Sequence, residues 1–527
     1  MYLLPKPKRT KKREGFYEIC WNTVITIDEA LSEHGFVYAG ILQECIRKSA
    51  GIECAIVRGT KREGDIFLTL TPECGVQEYQ MHIGPDGLVI AGGDGAAVLY
   101  GVQTLCQMIG QCGAVLECME IDDAPDIGCR GYFLDETRGR VLTLPYLKKV
   151  ADRLSRYKLN QFQLYVEHTY LFRDLTEMWR DETFDLGCEK SSDTAQRIGK
   201  EQMYIDYVRE LCEFLDSRGK RVQFFGDIIC RKPELIAQLP QGTICLTWGY
   251  APGQPVDACR AMAQAGAVQY LCPGVSGWNQ WMNLMEDSYQ NIVRMCGYGR
   301  EYHAEGILNT DWGDFGHINH PEFSVPGMIY GAAFSWNQEE IGFDAINRQI
   351  SRLEYGDGTE QAVGIMAEMP AHSLFGWRDA VVNYEQMVHN HALPYEDLVP
   401  KLFREDSITA DEMAKKADQA LHRLVTQMKR AAVSMNESSR ALAGLVELAA
   451  EAIRIWNQIG VSIVREKRGM AWEQEKAFAL AGQLERWFMA YKGQWRSVGR
   501  EGDLHHIAEI VFWYADCLRR RNAGFSK

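Results

Sequence analysis

The chain has 527 residues, 46% hydrophobic and 24% charged, a balance that fits a soluble globular protein too long for one core. At ~150 residues per domain, about three domains are expected. A formal net charge of -14 argues against nucleic-acid and anionic-membrane partners. No stretch approaches the ~18 apolar residues of a membrane span.

The basic run Lys6 to Arg13 has no apolar segment behind it, so it does not read as a secretion signal; it reads as a solvated tail. Sixteen scattered cysteines, several in apolar strands (Cys129, Cys245, Cys272) and none in a C-x-x-C pair, fit reduced thiols and a cytoplasmic protein. There is no His-Glu-x-x-His, and neither a metal nor another cofactor is expected.

From Thr23 to Ile121 alternating segments (Phe67–Leu70, Tyr79–Ile83, Leu88–Ala91) mix with two helical stretches, an α+β pattern. Gly84-Pro85-Asp86-Gly87 predicts a hairpin turn. Gly92-Gly93-Asp94-Gly95, ahead of an amphipathic helix bearing Val98, Val102, Leu105 and Ile109 on one face, predicts a tight strand–helix turn rather than an anion cradle.

At Arg130 the pattern changes to short apolar runs separated by helical stretches, the signature of βα units and a parallel sheet. Six strands are expected, around Tyr132–Asp135, Phe162–Glu167, Val222–Asp227, Thr243–Trp248, Val268–Pro273 and Ile307–Trp312. Several end in polar or aromatic residues, as strand ends do at the working face of a (β/α)8 barrel. Eight strands are needed, and the chain between Tyr170 and Tyr204 is too polar for a buried strand. The expected architecture is therefore an α/β TIM-like barrel lacking its third and fourth strands. Within that polar stretch, Trp179 to Gly187 carries the adjacent carboxylates Asp181 and Glu182. Such a pair suits acid–base work on a glycosidic bond, the alternative being a solvated turn.

Beyond Tyr395 glycine and proline thin out and long helices are expected over 411–435, 439–465, 471–492 and 504–521, with Thr409-x-x-Glu412 as a capping box. Trp456, Trp472, Trp487 and Trp513 read as core. The expected domains are 1–123, α+β; 124–394, barrel; and 395–527, helical.

Arg130-Gly131-Tyr132-Phe133-Leu134-Asp135 resembles the first barrel strand of glycoside hydrolase family 20, the β-N-acetylhexosaminidases. The resemblance continues through Lys158 to His168, Asp181 to Gly187, Phe225-Gly226-Asp227, Trp248-Gly249-Tyr250, Cys272-Pro273-Gly274 and Asn309 to His317. It covers roughly Cys129 to Trp336, and the piece before it looks like the family's zincin-like accessory domain. It departs from the family where the third and fourth strands belong, with ~80–100 residues absent relative to a full barrel.

The resemblance implies an exo-acting retaining hydrolase that releases terminal N-acetylglucosamine or N-acetylgalactosamine, with the substrate's own acetamido oxygen as nucleophile. Glu182 would be the general acid and Asp181 would orient the acetamido group. Arg130, His168, Trp248, Tyr250, Trp278, Asp311, Trp312 and Asp314 would bind the sugar, with His168, like His317, alternatively a loop-ordering hydrogen-bonder. Asp135 at its strand end is read as either a barrel salt bridge or a sugar contact. The partner is a small carbohydrate, and a homodimer covering the open barrel edges is a further expectation. Two missing strands predict weak or no hydrolysis, and the alternative is a carbohydrate-binding relative without turnover.

Overall fold

The computed structural model describes residues 1–166, 201–390, 400–470 and 473–520. Its N-terminal part is a seven-stranded mixed sheet. The elements run β1 (Arg9–Glu18), β2 (Val24–Ile27), α1 (His34–Ala50), β3 (Ala55–Arg58), β4 (Ile66–Leu70), β5 (Tyr79–Gly84), β6 (Gly87–Gly92), α2 (Gly95–Cys112) and β7 (Val115–Asp123). Strand order is β1-β7-β5-β6-β4-β2-β3. Along β5 Tyr79, Met81 and Ile83 are buried while Gln80 and His82 are exposed, the two-residue period of a sheet with one face covered. The buried face packs under α1 and α2, where Val98, Val102, Leu105 and Ile109 all enter the core.

The tight turn before α2 is as expected: Asp94 accepts from the Ala97 N–H at 2.7 Å, and a Cβ on Gly93 would lie 2.0 Å from the Gly75 carbonyl oxygen. The Gly84/Gly87 hairpin closes between β5 and β6. The basic run is not a solvated tail. From Arg9 onward it is the edge strand β1, paired antiparallel with β7, where Lys12 meets Glu117 at 2.7 Å and Arg13 meets Glu120 at 2.8 Å.

The second sheet is parallel throughout: β8 (Cys129–Asp135), α3 (Leu144–Arg156), β9 (Gln161–Tyr165), α4 (Glu201–Asp216), β10 (Gln223–Phe225), β11 (Ile244–Trp248), α5 (Asp257–Gln264), β12 (Val268–Cys272), α6 (Met285–Glu301), β13 (Gly306–Asp311) and α7 (Val325–Trp336). Its order is β10-β11-β12-β13-β8-β9, so the last strand lies beside the first. Four strand spacings separate β10 from β8, ~19 Å in a flat sheet. Phe225 and Phe133 nevertheless touch, ring centroids 5.9 Å apart. The sheet is curled, and its inner face carries Phe133, Leu246, Tyr270, Cys272, Leu308 and Trp312.

The six expected strands are all present. Among the described residues β9 and β10 are the sheet's edges; the expected gap between Tyr170 and Tyr204 lies outside the described residues except at 201–203, which open α4. Flanking those residues, Leu164, Val166, Tyr207, Leu211 and Phe214 are exposed.

The C-terminal region is helical: α8 (Phe343–Leu353), α9 (Ala362–Glu368), α10 (Trp377–Tyr384), α11 (Ser407–Ala431), α12 (Leu442–Lys467), α13 (Gln474–Val498) and α14 (Leu504–Arg519). Its core is continuous with the outer layer of the parallel sheet, because Trp281 packs on Trp377, Trp456 and Trp487 at 5.2–6.1 Å between centroids. Trp456 and Trp487 are core and Trp513 is half-buried; Trp472 lies outside the described residues. The expected capping box at Thr409 is displaced. Asp406 caps α11 instead, accepting from the Ile408 and Thr409 N–H groups at 2.9 Å each, and a carboxylate is the stronger acceptor.

Candidate functional site

All six parallel strands point their C-terminal ends the same way, so their terminal residues and following loops meet on one face. On β13 Leu308 faces inward, and Trp312, just past the strand, folds over the mouth of the curl. Its ring touches Phe133 at 4.6 Å, Tyr165 at 5.2 Å and Phe225 at 5.6 Å. Its indole N–H donates to the Tyr250 hydroxyl at 2.7 Å. Tyr250 in turn stacks on Trp248 (5.1 Å, 22°) and leans on Trp278 (5.0 Å). A side chain at Gly274 would come within 3.0 Å of both Trp278 and Tyr250, so the absence of a Cβ there lets the wall form. Trp248 is 43% exposed and Trp312 only 9%, which makes Trp248 the open lip and Trp312 the floor.

Four residues named from sequence, Trp248, Tyr250, Trp278 and Trp312, are thus brought together. Asp314 joins them through Arg138, with which it forms an ion pair. Sequence reasoning missed Arg138, whose guanidinium lies over Trp312 at 4.9 Å and Tyr165 at 5.6 Å. It sits three residues after the strand-end Asp135, whose Oδ1 accepts from the Thr137 and Arg138 N–H groups at 3.0 and 3.1 Å. That Asp-x-x-Arg spacing is the signal that was available. Asp135 Oδ2 also accepts from the Gly313 N–H at 3.1 Å and lies 3.8 Å from Arg138 Nε, so its carboxylate ties the loop after β8 to the loop after β13. Burial pushes Asp135 above the usual carboxylate range, opposed by Arg138 and these N–H groups.

Asp311 does not join the wall. Residues alternate across a strand, and Asn309 on the same side donates to the Gly327 carbonyl of α7, so Asp311 faces the helices. There it accepts from the Tyr132 hydroxyl at 2.8 Å, and burial pushes it up to about 6. His317, in the loop after β13, lies with Nε2 3.9 Å from Asp311 Oδ1. Burial and the neighbouring Arg140 push it down to about 3, which makes it a neutral imidazole. Glu136 is pushed up to about 7 by burial. Burial raises the Tyr250 hydroxyl too, so it remains a neutral hydrogen-bonding group. His168, Asp181 and Glu182 lie outside the described residues.

Among the described residues, the one group of three metal-ligating side chains is Asp503, His505 and His506 at the start of α14, none of them a residue of the aromatic wall. A cavity of about 1650 Å3 opens between α1, α2, α3, α8 and the start of α12. None of the aromatic-wall residues lines it, and the Arg153, Glu322 and Glu354 charges within it are paired with one another at 2.6 and 2.7 Å. The strand-end wall therefore remains the candidate site.

Residues 1–124 match the family model described as Glycosyl hydrolase family 20, domain 2. That match supports glycosyl hydrolase family 20 for the N-terminal residues it covers. Similar solved structures include the GH20 β-N-acetylhexosaminidase of Streptomyces coelicolor A3(2), at 15% identity and TM-score 0.49 over 68% of this chain and 96% of that one. The GH20 exo β-N-acetylglucosaminidase of Vibrio harveyi matches at 13% and 0.49 over 69% and 78%. CpGH84D matches over 98% of both chains at 12% identity and TM-score 0.52, a likeness of fold that runs the length of the molecule.

The N-terminal domain is bolted to the starting ends of the parallel strands, and this is where Arg130 belongs. Its five N–H groups donate to the carbonyls of Ile127, Gly128 and Lys158 and to the Tyr100 hydroxyl at 2.8–3.1 Å, and its guanidinium packs on Tyr100 and Trp336. Arg130 opens β8 whereas Asp135 closes it, so the arginine sits at the opposite end of the strand from the aromatic wall. It joins two layers of the fold and has no donor left for a sugar.

Proposed function

We propose that this chain is a glycoside hydrolase of the β-N-acetylhexosaminidase kind, taking a terminal N-acetylglucosamine or N-acetylgalactosamine at the aromatic wall. The observation that carries this reading is the joined set Trp248, Tyr250, Trp278 and Trp312, with the Arg138–Asp314 pair at its side. Flat apolar faces stack on a sugar ring while the ion pair and the phenol supply the polar contacts that fix its orientation. The family 20 domain 2 at residues 1–124 supports the same class.

In this reading the chemistry is exo-acting and retaining, with the acetamido oxygen attacking the anomeric carbon. Glu182 protonates the leaving oxygen and later takes a proton from water, while Asp181 holds the acetamido N–H. Turnover of a chromogenic N-acetyl-β-glucosaminide by the purified chain tests it. Glu182→Gln should then lower kcat by ~10²–10⁴-fold with sugar affinity kept, and unchanged turnover would remove Glu182 from the role.

A second reading, a sugar-binding relative without turnover, is favoured by one finding: Arg130 and Asp311 are engaged elsewhere while the stacking wall is intact. Calorimetric binding of N-acetylglucosamine with no hydrolysis would select it. We further read the chain as cytoplasmic, in three domains divided near Asp123 and Tyr395. Its exposed face at Leu164, Val166, Tyr207, Leu211 and Phe214 would pair two copies, which sedimentation analysis tests. Among the described residues no helix is long and apolar enough to cross a membrane.

A further inference from the structure

We propose that the helical C-terminal region is a working part of the sugar site, clamping the two loops that carry Arg138 and Trp312, with Arg140 as the positioning residue at the clamp's centre. The proposal rests on reading the aromatic wall as the place where sugar binds.

Neither loop is held by the parallel sheet alone. The loop after β8, residues 136–143, is tied along its length to the turn between α13 and α14. The Thr143 N–H donates to the Val498 carbonyl at 2.8 Å, the Arg500 N–H to Val141 at 2.8 Å and the Asp503 N–H to Gly139 at 3.2 Å. Leu142 and Gly499 form an antiparallel bridge. The loop after β13, residues 312–320, is held by side chains of the helices. The Trp377 indole N–H donates to the Phe315 carbonyl at 2.8 Å, and the Tyr491 hydroxyl donates to the Ile318 carbonyl at 3.0 Å.

Arg140 joins all three parts. It leaves the first loop, donates from Nη1 to the Asn319 carbonyl of the second loop at 2.7 Å and from Nη2 to the Tyr491 hydroxyl at 3.3 Å, and stacks on Trp495 of α13 at 4.2 Å. The two loops also touch backbone to backbone. A Cβ on Gly139, whose φ is +97°, would lie 2.3 Å from the Gly316 carbonyl carbon, so that contact demands glycine.

The chemistry of Arg140 argues for position over stability. Its side chain is buried, and among the described residues its partners are a carbonyl, a phenol and an indole face rather than a carboxylate. An apolar side chain would fill that space without desolvating a charge. What the guanidinium adds is direction: a planar fork that sets the second loop's backbone relative to the first and both relative to α13. Arg138 and Trp312, whose faces lie 4.9 Å apart across those loops, take their spacing from it. A binding site loses affinity when its groups drift by much more than ~0.5 Å, so loosening this clamp acts on the site without removing any group that touches sugar.

The test uses the full chain and three variants. Tyr491→Phe removes one hydroxyl, Arg140→Lys keeps the charge but not the fork, and Leu421→Val trims a buried side chain of α11 as a control for general destabilisation. Calorimetric affinity for N-acetylglucosamine and amide hydrogen exchange are read at equal distance below each variant's thermal midpoint. Expected are an affinity about tenfold weaker for Tyr491→Phe and Arg140→Lys. Exchange should quicken in 136–143 and 312–320 with β8 and β13 unchanged, and Leu421→Val should match the wild type in both readouts. Unchanged affinity in both clamp variants, or an equal loss in Leu421→Val, overturns the proposal. If the wild-type chain binds no N-acetyl sugar, the reading of the aromatic wall falls, and unchanged loop exchange in the clamp variants would separately overturn the clamp.

Discussion

At the starting ends of the parallel strands Lys158 buries its ammonium 3.0 Å from Asp123 Oδ2 and 3.1 Å from the Tyr79 hydroxyl, with the Trp336 ring 4.4 Å away. Trp336 completes the group by donating to Asp123 Oδ1 at 2.8 Å. At the far ends of the same strands Glu136 Oε1, Asp311 Oδ1, Asn319 Oδ1 and both ring nitrogens of His317 are buried without a protein hydrogen-bond partner among the described residues. Native interiors leave few such atoms, and each costs on the order of 1–3 kcal/mol. The first cluster is what a fold builds to join two layers for good. The second is held in place by loops and helices around it, and strand ends of this kind are where a barrel keeps its chemistry. The difference teaches that residues at the two ends of one sheet answer to different demands.

The sharpest way to break that comparison is at the starting ends. Lys158→Ala leaves Asp123 charged and buried without its partner, which should cost ~3–5 kcal/mol in urea-induced unfolding. Sugar affinity of the folded fraction should be unaltered. A loss under ~1 kcal/mol would mean that this cluster is no more than a surface pair. Trp248→Ala should do the reverse. Trp248 is 43% exposed, so its removal should change stability far less than Lys158→Ala does while weakening N-acetylglucosamine binding about tenfold. Equal affinity in that variant would place the sugar elsewhere.

How much of this was legible in the sequence depended on how each residue is buried. The inner parallel strands were found because a strand covered on both faces reads as an apolar run, as Ile244 to Trp248 does, and the half-buried edge strands β9 and β10 carry short apolar runs of their own. The same double burial hid the orientation of Asp311. With Ile307 packed outward and Leu308 inward, β13 shows no polar alternation to say which parity faces the curl. Arg130 was misplaced because its motif was read as a unit, although a strand of seven residues puts Arg130 and Asp135 at opposite ends. β1 escaped for the opposite reason: eight successive residues are exposed, so no apolar period marks it as a strand. Arg138 sits in a loop, where no period exists, and only the packing of Trp312 gives it a role.

The last effect is conditional on pH and concerns charge at the strand ends. Glu136 Oε2 accepts from the Leu142 N–H at 2.7 Å, while burial, helped by Asp135 and Asp311 and opposed by Arg140, raises its carboxyl from 4.5 to about 7. A folded-state value above the unfolded one means that the folded chain holds this proton more tightly. The stability this supplies is full below pH 4.5 and is lost as pH rises toward 7. Glu136→Gln fixes the neutral form and keeps an oxygen for the Leu142 N–H. The variant should therefore gain on the wild type by roughly 3 kcal/mol at pH 8 and by nothing at pH 4.5. His317 and His320, both held near 3 by burial, act with the opposite sign, taking stability away as pH falls from 6.5 toward 3. They are common to both proteins, so the difference in unfolding free energy between variant and wild type isolates Glu136. A difference that stays flat from pH 4.5 to 8 would show that Glu136 ionises as freely folded as unfolded, and the far ends of the strands would then be no more strained than the near ones.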